Sequence, residues 1–144
     1  MSQAQNPFFE GEHKILRPAP CALVIFGATG DLAFRKLMPA LYNLWQEGLL
    51  PTGFVVVGTA RTSLDDLSFR LRIKEGVKKY ARRSFSEQLW SDFSKNVFFH
   101  KVEGGSGADY QGLKKHLEDL ATKRNQTFNY LFYLAVSPET YVHI

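Results

Sequence analysis

The chain is 144 residues long, 44% hydrophobic and 22% charged, with a formal net charge of +4. This length and composition suit one folded domain and exclude a disordered chain. Its one cysteine, Cys21, excludes an internal disulfide, and no stretch approaches the ~20 apolar residues that a membrane-crossing helix needs.

Residues 1–20 read as an irregular leader, because Pro18 and Pro20 oppose regular structure. The leader has no apolar core of a secretory signal, so a cytoplasmic protein is expected. Ala22–Phe26 reads as a buried strand that stops at Gly27, and a second glycine follows at Gly30 before helix-forming residues begin. Strand, glycine turn and helix N-terminus in that order form an arrangement that holds a diphosphate. Small residues let the backbone approach, and the first free N–H groups of the helix face the anion. The spacing is G-x-x-G-x-x-A, and such a turn also serves as a plain structural joint, so its surroundings must decide.

Leu32–Glu47 reads as a helix with Leu37, Leu41, Leu44 and Trp45 on one face, a kink or early break near Leu37 imposed by Pro39, and an end at Gly48. Phe54–Gly58 is the second predicted strand. Leu64–Tyr80 is the next helix, with Phe69, Ile73, Val77 and Tyr80 at helical spacing. Ser84 or Ser86 caps a short helix carrying Leu89, Trp90 and Phe93. Val97–Val102 is the third strand, followed by the turn Gly104-Gly105-Ser106-Gly107 and a helix capped by Asp109 that carries Tyr110, Leu113, Leu117 and Leu120. Tyr130–Val136 is the fourth strand, and Ser137-Pro138 opens a last helix. The sequence stops within that helix, so a longer protein is expected.

Alternating strands and helices with near-continuous apolar strands imply an α/β fold. The expected architecture is a parallel, doubly wound, Rossmann-like sheet with helices on both faces, truncated before its last elements. Residues 21–144 read as the N-terminal part of a nucleotide-binding domain. Ligands of such sheets bind beyond the carboxyl ends of the strands, which here are Gly27–Gly30, Gly58–Thr62, the turn after Val102, and Ala135–Tyr141.

The end of the second strand bears on the nucleotide. A carboxylate there would bind the ribose hydroxyl of NAD, but the sequence reads Val57-Gly58-Thr59-Ala60-Arg61-Thr62-Ser63. Arg61 is placed for a 2′-phosphate, with Thr62 or Ser63 as a hydroxyl donor, and this favours NADP. Asp31, at the start of the helix, reads as structural or as holding the glycine turn. Arg35 and Lys36 either reach back to phosphate oxygens or stay solvated. The basic run Lys78-Lys79-Tyr80-Ala81-Arg82-Arg83 reads as a solvated helix end, so no nucleic-acid partner is expected. Tyr110 and Lys114 match Y-x-x-x-K, the acid–base pair of short-chain reductases, but Tyr110 falls on an apolar face and reads as a core residue. His13, His100, His116 and His143 lack metal-ligand spacing. No metal site and no catalytic residue is expected in this chain.

Gly27-Ala28-Thr29-Gly30-Asp31-Leu32-Ala33-Phe34-Arg35-Lys36-Leu37 closely resembles the G-A-[ST]-G-D-L-[AT]-x-[RK]-K-L segment of the glucose-6-phosphate dehydrogenase family. Gly48-Leu49-Leu50-Pro51, Val57-Gly58-Thr59-Ala60-Arg61-Thr62 and Phe132-Tyr133-Leu134-Ala135-Val136-Ser137-Pro138 resemble further segments of that family in the same order. The resemblance implies NADP-linked oxidation of glucose 6-phosphate to 6-phosphogluconolactone, in the oxidative pentose phosphate pathway, by a full-length protein expected to be a homo-oligomer. By position, it implies that Gly27, Ala28, Thr29, Gly30, Asp31, Leu32, Ala33 and Phe34 line the coenzyme diphosphate. Arg61 would bind the 2′-phosphate, Lys36 would help hold the anion, and Tyr141 would sit beside the coenzyme. Ser137 stands where the family usually has proline. The family's R-I-D-H-Y-L-G-K-E and E-K-P-[FL]-G segments, which serve the substrate, do not occur here, so the chain alone is expected to be inactive. The alternative expectations are a non-catalytic NADP-binding sensor or regulatory module, or a short-chain reductase using Tyr110 and Lys114.

Overall fold

A computed structural model describes residues 18–104 and 107–144; nearly all of the expected leader, and Gly105 and Ser106 of the glycine turn, lie outside the described residues. The elements are β1 (Cys21–Phe26), a π-helical turn (Ala33–Leu37) running into α1 (Met38–Gln46), β2 (Val55–Ala60), α2 (Asp66–Tyr80), α3 (Glu87–Ser94), β3 (Val97–Lys101), α4 (Gly107–Lys123), β4 (Asn129–Leu134) and a final 3-10 helix (Pro138–His143). All pairings are parallel and the strand order is β3-β2-β1-β4. This is the opening of the doubly wound order. In register, Val24 lies opposite Val57 on one side and Phe132 on the other.

Alternation along the strands sorts their side chains into two cores. Ile25, Val56, Val97 and Phe99 pack with Met38, Tyr42, Phe69, Ile73, Val77, Trp90 and Phe93 from α1, α2 and α3. Val24, Phe26, Val55 and Val57 pack with Leu113, Leu117 and Leu120 from α4. The helices therefore cover both faces, as the alternation required.

The two edges of the sheet differ. On β3, the Asp66 carboxylate accepts the Phe99 N–H at 2.7 Å, and Arg70 Nε donates to the Val97 carbonyl at 2.7 Å. These bonds occupy backbone groups that an edge strand would otherwise offer to another chain. On β4, Leu131 and Phe132 are 58% and 56% exposed. This departs from the burial expected of that strand; among the described residues β4 is the opposite edge and pairs with β1 alone.

Other expectations shift locally. Pro39 lies in the first turn of α1, and the break expected near Leu37 takes the form of a wide π-helical turn in which Met38 N–H bonds the Ala33 carbonyl. Of the face expected on this helix, Leu37, Leu41 and Trp45 pack against the core while Leu44 is exposed, and Met38 and Tyr42 are the most deeply buried residues of α1 beside them. Tyr42 can be fully buried because its hydroxyl donates to the Ser86 carbonyl at 3.2 Å and accepts the Ser86 N–H at 3.1 Å. Ser86, not Ser84, caps α3 by accepting from Leu89 N–H. Asp109 lies inside the first turn of α4, where its carboxylate accepts from Gly104 N–H. The final helix is a 3-10 helix, begun by Pro138 as expected.

Candidate functional site

The glycine turn is pinned to three strands. Gly27 and Ala28 both donate their N–H groups to the Thr59 carbonyl of β2 at 3.0 Å, Gly30 N–H bonds the Gly27 carbonyl at 3.0 Å, and Ala135 N–H bonds the Phe26 carbonyl at 2.9 Å. Gly27 has φ +80°, and a Cβ there would run into the Ala135 carbonyl. Only glycine meets both demands without strain. Ala28 is buried against β2 at Gly58, where any side chain would overlap Ala28 and the Phe69 ring. Helix begins at Asp31, so the amides of Asp31, Leu32 and Ala33 are first-turn amides without an acceptor one turn back. A helix start of this kind favours anions.

A cleft of about 710 Å³ opens in front of this turn. Four segments build it: the turn itself, the end of β2 from Thr59 to Thr62, the end of β3 from Val102 to Gly104, and the chain after β4 from Ala135. These are the four strand ends expected to face a ligand.

Gly27, Thr29, Gly30 and Arg61 line the cleft. Ala28 and Ala33 are buried beneath it, and Asp31 and Leu32 are exposed at the helix start. Phe34 is half-buried, with its ring edge-on to Tyr80. Lys36 is exposed and is not among the residues lining the cleft. Tyr141 is 45% exposed, while Glu139, Thr140 and His143 of the same 3-10 helix line the cleft in its place. Sequence reasoning singled out neither those three residues nor Glu103. Their only signal was their position just after a strand end.

The charges are distributed simply. Arg61 is exposed and has no carboxylate partner among the described residues. Asp31 is paired with Arg35 at 2.6 Å on the exposed surface of the helix start, and Arg35 lies over the Tyr80 ring at 5.6 Å. The hydrogen-bonded Lys101 holds the Glu103 carboxyl below its usual range. In the basic run, Lys78 pairs with Glu87 and Arg83 with Glu47.

Tyr110 and Lys114 do not form an acid–base pair. The Tyr110 hydroxyl donates to the His143 carbonyl, and Lys114 faces Glu118 at 4.0 Å. Among the described residues no cluster of three or more His, Cys, Asp or Glu could hold a metal, and no helix is long and apolar enough to cross a membrane. A second concavity of about 440 Å³ lies between α4 and β4, but its lining is mostly apolar, with Leu113, Leu117 and Phe132 among it. The larger cleft therefore combines a pinned glycine turn at a helix start with one guanidinium that has no carboxylate partner among the described residues. Such a site can hold two phosphate groups of one ligand.

Comparison with known proteins agrees with this geometry. Residues 24–144 match the family model described as "Glucose-6-phosphate dehydrogenase, NAD binding domain". A glucose-6-phosphate 1-dehydrogenase of Chlamydia pneumoniae is 42% identical over 125 residues, which is 87% of this chain and 24% of the relative. Glucose-6-phosphate 1-dehydrogenase 2 of Mycobacterium bovis is 38% identical over 139 residues, which is 95% of this chain and 27% of the relative. The solved structure of a glucose-6-phosphate dehydrogenase in complex with its substrate glucose-6-phosphate superposes with a TM-score of 0.73 at 29% identity, covering 88% of this chain and 26% of that one. The chain thus spans about a quarter of the length of the curated relatives it matches.

Proposed function

This chain belongs to the glucose-6-phosphate dehydrogenase family, and from that premise we propose that its cleft holds NADP for a longer protein that oxidises glucose 6-phosphate to 6-phosphogluconolactone. The observation that carries the choice of NADP is Arg61. Among the described residues it has no carboxylate partner, and it stands just beyond β2, on the cleft, where an NAD site would present a carboxylate. Its planar fork matches a 2′-phosphate in shape and charge.

The residues present fit the coenzyme. Gly27 holds the turn in a shape only glycine adopts, Gly27, Thr29 and Gly30 border the cleft, and the amides of Asp31, Leu32 and Ala33 begin the helix behind it. These groups would hold the diphosphate, with Arg61 on the 2′-phosphate. When bound, the coenzyme supplies the hydride acceptor. The residues of this chain bind and orient; Tyr110, which borders the cleft, gives its hydroxyl to the His143 carbonyl, and Lys114 faces Glu118. The groups that bind the sugar and remove its proton would lie in the rest of the protein. Lys36 and Tyr141 are proposed as outer contacts, on the resemblance alone. A cytoplasmic homo-oligomer fits the single cysteine and the same resemblance.

Titrating the chain with NADP and with NAD by calorimetry tests this reading. NADP is expected to bind, and more tightly than NAD. Equal affinities would remove the NADP assignment, and no binding of either would remove the site. Adding glucose 6-phosphate and NADP to the chain alone should yield no NADPH.

A further inference from the structure

We propose that Arg72, on α2, is a positioning residue for the coenzyme: it fixes the orientation of the Thr29–Gly30 peptide in the glycine turn. The inference rests on the reading of the cleft as a dinucleotide site. Arg72 does not line that cleft. It reaches the turn from behind, and its NH2 group donates to the Thr29 carbonyl at 2.7 Å across 43 residues of sequence.

A trans peptide holds its C=O and N–H on opposite sides. In the Thr29–Gly30 peptide both groups are engaged: the carbonyl by Arg72, and the Gly30 N–H by the Gly27 carbonyl at 3.0 Å. The peptide is therefore pinned at both ends. Released from Arg72, it can rotate and bring a carbonyl dipole toward the space where a diphosphate would lie. A carbonyl oxygen there repels an anion that the first-turn amides attract. The guanidinium keeps that oxygen occupied behind the turn.

Arg72 is itself held in place. Its Cζ lies 5.8 Å from the centre of the Phe34 ring, and that ring stands edge-on to Tyr80 at 5.9 Å. α2 can come this close because residue 76 is glycine; a Cβ there would lie 2.6 Å from the Phe34 carbonyl. Gly76, Arg72 and Tyr80 thus form one side of α2 that backs the phosphate-binding segment. None of the three appears in the glycine-turn motif.

Arg72→Met keeps the stem over Phe34 and removes the donor, whereas Arg72→Lys retains a cationic donor. Two readouts are needed, both taken on the chain itself. The first is the affinity for NADP and for NAD. The Met variant should weaken both alike, by about three- to tenfold, which is less than the loss of a direct charged contact, and the Lys variant should restore most of it. The second needs no ligand: amide exchange of Gly30 should speed up in Arg72→Met while exchange of Val24, in the core, stays unchanged. An unchanged Gly30 amide with unchanged affinities would overturn the proposal. So would equal speeding of Gly30 and Val24, since that is general destabilisation. Selective loss of NADP but not NAD would make Arg72 a second 2′-phosphate ligand and overturn it as well. If the unaltered chain binds neither nucleotide, the dinucleotide reading fails and this inference fails with it.

Discussion

The two ends of the cleft are built in opposite ways. At the glycine turn, specificity is a matter of shape. Gly27 adopts a conformation that other residues avoid, Ala28 is buried, and the backbone is tied to Thr59 and Ala135. At the far end it is a matter of charge: Arg61 is an exposed side chain with no partner among the described residues. A change at the first end should disturb the fold or both nicotinamide dinucleotides together. A change at the second should disturb one nucleotide and leave the fold alone.

Gly27→Val is the harshest way to probe this contrast. It forces a β-branched residue to φ +80° and drives its side chain into the Ala135 carbonyl. Strain and overpacking together should cost about 2–6 kcal/mol of stability, read by urea unfolding, with binding of both nucleotides lost. Gly30→Val is milder. Gly30 has no unusual φ, and a Cβ would lie 3.2 Å from the Gly27 carbonyl. The fold should survive while the added bulk weakens NADP and NAD equally, by about 1–3 kcal/mol or roughly 5- to 150-fold. Intact binding with an intact fold would contradict the assignment of the turn to the diphosphate.

The smallest effect should come from outside the cleft. His100 on β3 and His116 on α4 have ring centres 5.0 Å apart, and His116 Nε2 is buried without a hydrogen-bond partner. Burial, and then the neighbouring His100, hold His116 below its ordinary 6.5, against the weaker pull of Asp66 and Asp119, with Lys123 adding least. Burial likewise lowers His100, opposed by Asp109. Because the folded values lie below the unfolded ones, the unfolded chain takes up protons first as pH falls through 6.5. Stability should therefore decline as the pH falls through 6.5. His116→Leu should flatten that slope in thermal melts at several pH values, with the preference between the nucleotides unchanged.

What could be read in advance divides along the same line as the cleft. The strand–turn–helix order, the strand ends that form the cleft and the place of Arg61 on it all rest on side-chain types at fixed spacing, and a sequence displays those. The ties that hold the turn do not. Thr59 acts through its backbone carbonyl, Arg72 acts on another carbonyl 43 residues away, and Gly58 and Gly76 matter only because Phe69 and Phe34 come against them. Backbone acceptors leave no trace in residue identity. The expected face of α1 holds at Leu37, Leu41 and Trp45, but the burial of Tyr42 was missed for a related reason: its hydroxyl is satisfied by Ser86, 44 residues on. The exposure of β4 follows from its place at the edge of the sheet, which an apolar run cannot reveal.

The most direct test of the account is the ratio of NADP to NAD affinity in Arg61→Ala, measured beside the unaltered chain. Loss of charge-assisted bonds worth about 1.5–3 kcal/mol should weaken NADP by roughly 10- to 150-fold, with NAD affinity and the melting temperature little changed. Equal loss for NADP and NAD, or an unchanged ratio, would mean that Arg61 does not read the 2′-phosphate and that the cleft is not an NADP site on these grounds.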